Sequence, residues 1–119
     1  MSERVERVIR RAEVRQAGQV AGYLEERSAG GWIFRYLAEY AGMPVSLTLP
    51  VRSEPYLFAE FPAVFDGLLP EGVQLEALLR THKIDRRDAF RQLVTVGVDL
   101  VGSLTVQEVP VAGPVSGEV

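Results

Sequence analysis

The side chains able to do chemistry in this chain are few and isolated. His82 is the sole histidine, and Asp85 and Asp88 follow it. A histidine near carboxylates is raw material for a metal site or for general-base catalysis. The surrounding residues argue against both uses. His82 lies one turn beyond Leu78 and Leu79, where a histidine suits the negative end of a helix dipole, and it has no partner to tune it. Asp85 followed by Asp88 resembles a capping box with aspartate in place of glutamate, opening a helix. With no cysteine in the chain, only carboxylates remain as further ligands. Ser53 and Ser103 have no adjacent base to activate them. Gly30-Gly31 reads as a turn, and no glycine pattern matches a phosphate loop. The sequence therefore points to no catalytic residue, no cofactor and no metal.

The elements that must position these residues follow from periodicity. A strand is expected from Ala12 to Gln16, a turn at Ala17-Gly18, a second strand from Gln19 to Glu26, and a turn over residues 28–31. In a third strand, from Trp32 to Leu37, the side chains Trp32, Phe34 and Tyr36 face one way and Ile33, Arg35 and Leu37 the other. Val45, Leu47, Leu49 and Val51 alternate with Ser46, Thr48 and Pro50, the period of a half-buried strand ending near Pro50. Phe61, Val64, Phe65, Leu68 and Leu69 fall on one face of a short helix, with Pro62 in its first turn and Pro70 and Gly72 stopping it. Leu75, Leu78, Leu79 and His82 line a second helix. A third is expected from Asp85 to about Val96, burying Phe90, Leu93 and Val94 and stopped by Gly97. A last strand is expected from Val101 to Val109. Strands, then helices, then a strand make one α+β domain: an antiparallel sheet with about three short helices packed on one side.

Residues 1–11 read as an extension, their apolar positions fitting a helix or a strand. Residues 12–109 form the domain. Residues 110–119 lack periodicity, are rich in glycine and proline, and read as a flexible tail. A single chain of 119 residues suits one domain. No apolar run reaches the roughly 20 residues of a membrane span, and the charged N-terminus lacks the apolar core of a secretory signal. These features read as a cytoplasmic protein with no membrane partner. The net charge of −3 and the restriction of local basic clusters to Arg10-Arg11 and Arg86, Arg87 and Arg91 disfavour direct nucleic-acid binding.

One segment lacks an assignment. Between the expected 45–51 strand and the first helix stands Pro55-Tyr56-Leu57-Phe58, apolar residues in an expected loop. Interfaces are enriched in aromatics, so this segment is a candidate partner-binding anchor, stiffened by Pro55. The alternative is that it tucks back over the core as a lid.

SLTLP at residues 46–50, followed by FDGLLPEG at 65–72, resembles the N-terminal subdomain of HipA-type serine/threonine kinases, the toxin halves of toxin–antitoxin pairs. Gly18, Val20, Gly22 and Leu24 resemble that family's first hairpin, and Trp32, Phe34 and Tyr36 its aromatic strand. Gly97, Asp99, Gly102, Ser103 and Leu104 resemble its closing motif. The resemblance marks Leu47, Leu49, Pro50, Phe61, Phe65, Leu68, Leu69, Pro70, Gly97, Asp99 and Gly102 as motif or core positions. It also implies that ATP binding and catalysis belong to a larger region with no counterpart here. A subdomain made as its own chain is similar to the HipS-like antitoxins of tripartite HipB–HipS–HipT systems. The implied function is then docking on, and neutralising, a HipA/HipT-like kinase, with a HipB-like helix-turn-helix protein in the same complex. A chain running from Met1 to Val119 fits a complete gene product of this kind, and equally a fragment of a longer kinase. In that second case it is the regulatory N-terminal part of a one-chain HipA-like kinase contacting HipB. An unrelated ligand-binding or structural domain of the same fold is the third reading.

Overall fold

The computed structural model describes residues 7–97 and 103–111. Five strands, β1 (Val8–Gln16), β2 (Gln19–Arg27), β3 (Trp32–Tyr36), β4 (Tyr56–Phe58) and β5 (Leu104–Val109), form one antiparallel sheet in the order β4-β3-β2-β1-β5. The three helices are α1 (Ala63–Asp66), α2 (Gly72–His82) and α3 (Ala89–Val96). The expected α+β architecture is the observed one.

The β1–β2 hairpin turns at Ala17 and Gly18, both at positive φ, which matches the right-handed twist of the strands. β1 begins at Val8, which pairs with Arg27. Residues 8–11, ambiguous by periodicity, are thus strand. Alternation in this sheet separates two faces. Ala12, Val14, Leu24, Phe34, Tyr36 and Val106 are buried on one of them, against Phe65 from α1 and Phe90 and Leu93 from α3. Aromatic rings tie these layers together. Trp32 meets Phe61 edge-on at 5.0 Å and stacks on Phe90 at 5.7 Å, while Phe34 meets Phe65 at 5.7 Å. α2 is peripheral, with Leu79 as its one buried residue.

Four expectations about local structure are corrected. Residues 45–51 are not a strand. Ser46 accepts the Leu49 N–H on its carbonyl (3.0 Å) and the Thr48 N–H on its hydroxyl (3.2 Å), closing a tight turn. A serine that satisfies the backbone locally competes with a ladder, and Pro44 and Pro50 have no N–H to donate. The turn still sends alternate residues opposite ways. Leu49 is buried, whereas Leu47 at the tip is 95% exposed and is not a core residue.

The helix expected over residues 61–69 is the single turn α1, with Pro62 as its N-cap residue. Phe61 precedes it, and Leu68 and Leu69 follow in tight turns whose N–H groups reach Phe65 and Asp66. All three are half-buried against the core. Tyr56-Leu57-Phe58, expected in a loop, is the edge strand β4, paired with Phe34, Ile33 and Trp32 respectively. The third helix starts one turn later than expected. Asp85 accepts the Arg87 N–H in the preceding turn, and Asp88 is the N-cap, accepting the Arg91 N–H at 3.1 Å. Asp99, Gly102 and residues 112–119 lie outside the described residues.

Tyr36 holds the 45–49 turn to the sheet. Its hydroxyl accepts the Val45 N–H (3.0 Å) and donates to the Leu49 carbonyl (2.5 Å). Burial pushes this phenol above its ordinary value, with Tyr56 and Tyr40 adding to the shift and the Val45 N–H opposing it. The folded state therefore holds this proton more tightly than the unfolded chain does. Its contribution is complete below the ordinary tyrosine pKa and is lost as pH rises through the folded one. Tyr36→Phe is expected to cost about 1–2 kcal/mol in urea unfolding at neutral pH, since the Leu49 carbonyl loses its donor. As pH rises above the ordinary tyrosine value of about 10 the wild-type advantage should shrink; an advantage that grows there would contradict this account.

Candidate partner-binding surface

The residues with catalytic potential are dispersed by the fold. His82 is exposed in the last turn of α2, and Ser53 is exposed in the loop before β4. The Ser103 hydroxyl, also exposed, is paired with the Gln16 side-chain amide oxygen. Gly30 and Gly31, both at positive φ, make the β2–β3 turn. Among the described residues no three His, Cys, Asp or Glu side chains converge on a potential metal position.

A cleft of about 440 Å³ lies between the sheet and the start of α3. Arg10 spans it, donating from Nε to Glu26 (2.7 Å) and from its terminal nitrogen to both Asp88 oxygens (3.0 and 3.1 Å), with its guanidinium 4.7 Å from the Phe90 ring centre. Burial would lower the Arg10 pKa, but Glu26 and Asp88 outweigh it and raise the value. The guanidinium is a permanent cation joining β1, β2 and the α3 N-cap, and Asp88 serves both the cap and the ion pair. No periodicity linked Arg10 to Asp88, 78 residues apart. The cleft wall is aromatic, with Trp32, Phe61 and Phe90, and the charges of Arg10, Glu26 and Asp88 answer one another.

The candidate anchor at residues 55–58 is divided by the pleat of β4. Tyr56 and Phe58 are half-buried against the core. The Tyr56 hydroxyl donates to the Pro50 carbonyl at 2.6 Å, and Arg52 lies 3.6 Å from its ring centre. Pro55, half-buried, accepts a hydrogen bond from Arg52. Leu57 alone points the other way, opposite Ile33, and is 62% exposed. Sequence reasoning grouped these residues because a strand of three leaves no period to read. Among the described residues the exposed large apolar side chains also include Met43, Leu47 and Val73. Leu47 projects from a turn that its neighbours fix rigidly.

No helix among the described residues is long and apolar enough to cross a membrane. Over residues 12–107 the chain matches the family described as HipA N-terminal domain. It is similar to an uncharacterized protein of Haemophilus influenzae, 31% identical over 101 residues that span 85% of this chain and 94% of that protein. Among solved structures it is similar to the N-terminal domain of HipA toxin, with a TM-score of 0.69 and 28% identity over 87% of this chain and 95% of that one. With its sheet order, aromatic core and family match in agreement, the chain belongs to the HipA N-terminal domain family.

Proposed function

We propose that this chain is a non-catalytic, cytoplasmic binding protein that docks on a HipA/HipT-like serine/threonine kinase and neutralises it, in a complex that also holds a HipB-like helix-turn-helix protein. The observation that carries this reading is the family match over residues 12–107 combined with the ionic economy of the fold. The short-range charged contacts Arg10 with Glu26 and Asp88, Arg86 with Glu76 and Arg91 with Glu108 brace segments against one another, and Arg15 pairs with Glu13 along β1. The Haemophilus relative is matched across 94% of its own length, which supports members of this family acting as separate small chains. Likeness to the N-terminal domain of HipA toxin favours a second reading, the regulatory N-terminal part of a one-chain kinase.

Titration into a HipA-type kinase lacking its own N-terminal domain tests the reading. Restraint of autophosphorylation is expected to be stoichiometric and reversible, tracking the fraction bound. Calorimetry of the isolated chain with ATP is expected to show no saturable heat, because phosphoryl transfer needs a phosphate cradle and metal-binding carboxylates. Micromolar ATP affinity, or a kinase indifferent to the chain, would defeat it.

A further inference from the structure

The helices pack on one face of the sheet; among the described residues no helix packs on the other, and its charge is opposite to that of the chain. Among the described residues Arg11, Arg15 and Arg35 occupy outward positions of β1 and β3, with Arg7 at the rim, facing the acidic Glu13 and Glu25. The face is basic in a chain of net charge −3. Near β4 it forms a cleft of about 300 Å³. Its apolar floor is Val8, Ile33 and Leu57, with Leu57 62% exposed. Glu25 is largely spent: it is buried, with Arg11 3.0 Å and Arg35 3.8 Å from its carboxylate. The Arg35 side chain nonetheless remains half exposed, and Arg7 is exposed beside it.

Resting on the proposed function, we propose that this cleft is the docking surface, and that it receives an acidic polypeptide segment of the kinase. An apolar side chain of that segment seats on Val8, Ile33 and Leu57 while its carboxylates pair with Arg7 and Arg35. Apolar centres ringed by charge are the anatomy of a protein interface, where the rim supplies steering and register. A nucleic-acid backbone would pair with the arginines but leave the aliphatic floor largely unfilled.

Leu57→Ser and Arg35→Glu are each expected to weaken binding to the kinase by about tenfold or more, with circular dichroism unchanged. Val73→Ser, on the distant and exposed start of α2, should bind as wild type does. Wild-type affinity in both face variants overturns the docking surface and leaves the proposed function standing. Should the wild-type chain bind no kinase, the function falls, and NMR titration with short peptides decides the surface. A peptide alternating glutamate and leucine is expected to shift Ile33, Arg35 and Leu57, more weakly as salt rises, and one alternating lysine and leucine is not. No shift, an equal shift with the lysine peptide, or a stronger response to duplex DNA overturns it.

Discussion

Phe65→Ala is expected to destabilise the fold by about 3–5 kcal/mol, the range for truncating a fully buried aromatic. Phe65 is 1% exposed and is the one buried residue of α1. A four-residue helix has almost no stability of its own, since nucleation consumes what its few hydrogen bonds return. The Phe65 ring against Phe34 is therefore the central anchor of the segment between β4 and α2, with Phe61, Leu68 and Leu69 packing around it. The melting temperature should fall on the order of 10–20 °C, seen as a cooperative shift in circular dichroism. Phe65→Leu, which keeps most of the volume, should cost clearly less. A Phe65→Ala variant that melts within about a degree of wild type would show that this contact does not anchor α1.

Gly97→Ala is the second large effect, and here two physical arguments disagree in sign. Gly97 has ordinary right-handed backbone angles at the end of α3, so alanine should stabilise by up to about 1 kcal/mol through lower unfolded-state entropy. A Cβ built there, however, collides with the Val106 carbonyl oxygen and stands 2.8 Å from its carbon. The Gly97 carbonyl in turn accepts the Val106 N–H at 3.1 Å. Backbone of α3 thus lies directly on backbone of β5, and neither can rotate aside as a side chain would. The collision wins, with a cost of about 3 kcal/mol or more, the upper end of overpacking. Chemical denaturation settles the sign, and a stabilised alanine variant would mean that α3 and β5 are further apart than described.

The closed ion pairs inside the helix-side cleft and the open basic face on the far side divide the molecule's surface by role. Arg10 spans three elements and has both its partners in place, so its cleft is a structural joint. Arg35 shares a carboxylate already held by Arg11, and that surplus of positive charge is what a partner can use. Of the segment at residues 55–58, only Leu57 belongs to that surface. A test that also replaces Phe58 would disturb the core and confuse unfolding with lost binding.

By itself the sequence determined the α+β class, the two hairpins of β1, β2 and β3, the inward aromatic row of Trp32, Phe34 and Tyr36, and the family. Those features rest on local periodicity and on turn residues, which are written in consecutive positions. It also placed the 72–82 helix and the core residues Phe65, Phe90 and Leu93. Where runs were short, local pattern failed. Alternation over residues 45–51 is shared by a strand and by a tight turn, and only the Tyr36 hydroxyl and the Ser46 hydrogen bonds separate the two. Residues 56–58 became a strand because β3 offered them an edge, a partner 22 to 26 residues away that no local period records. The use of Gly97 as a contact with β5, the joining of Arg10 to Asp88, and the emergence of Leu57 beside Arg7 and Arg35 were likewise decided in space. Each depends on atoms distant in the chain meeting at a few ångströms, and that information exists only once the sheet has closed.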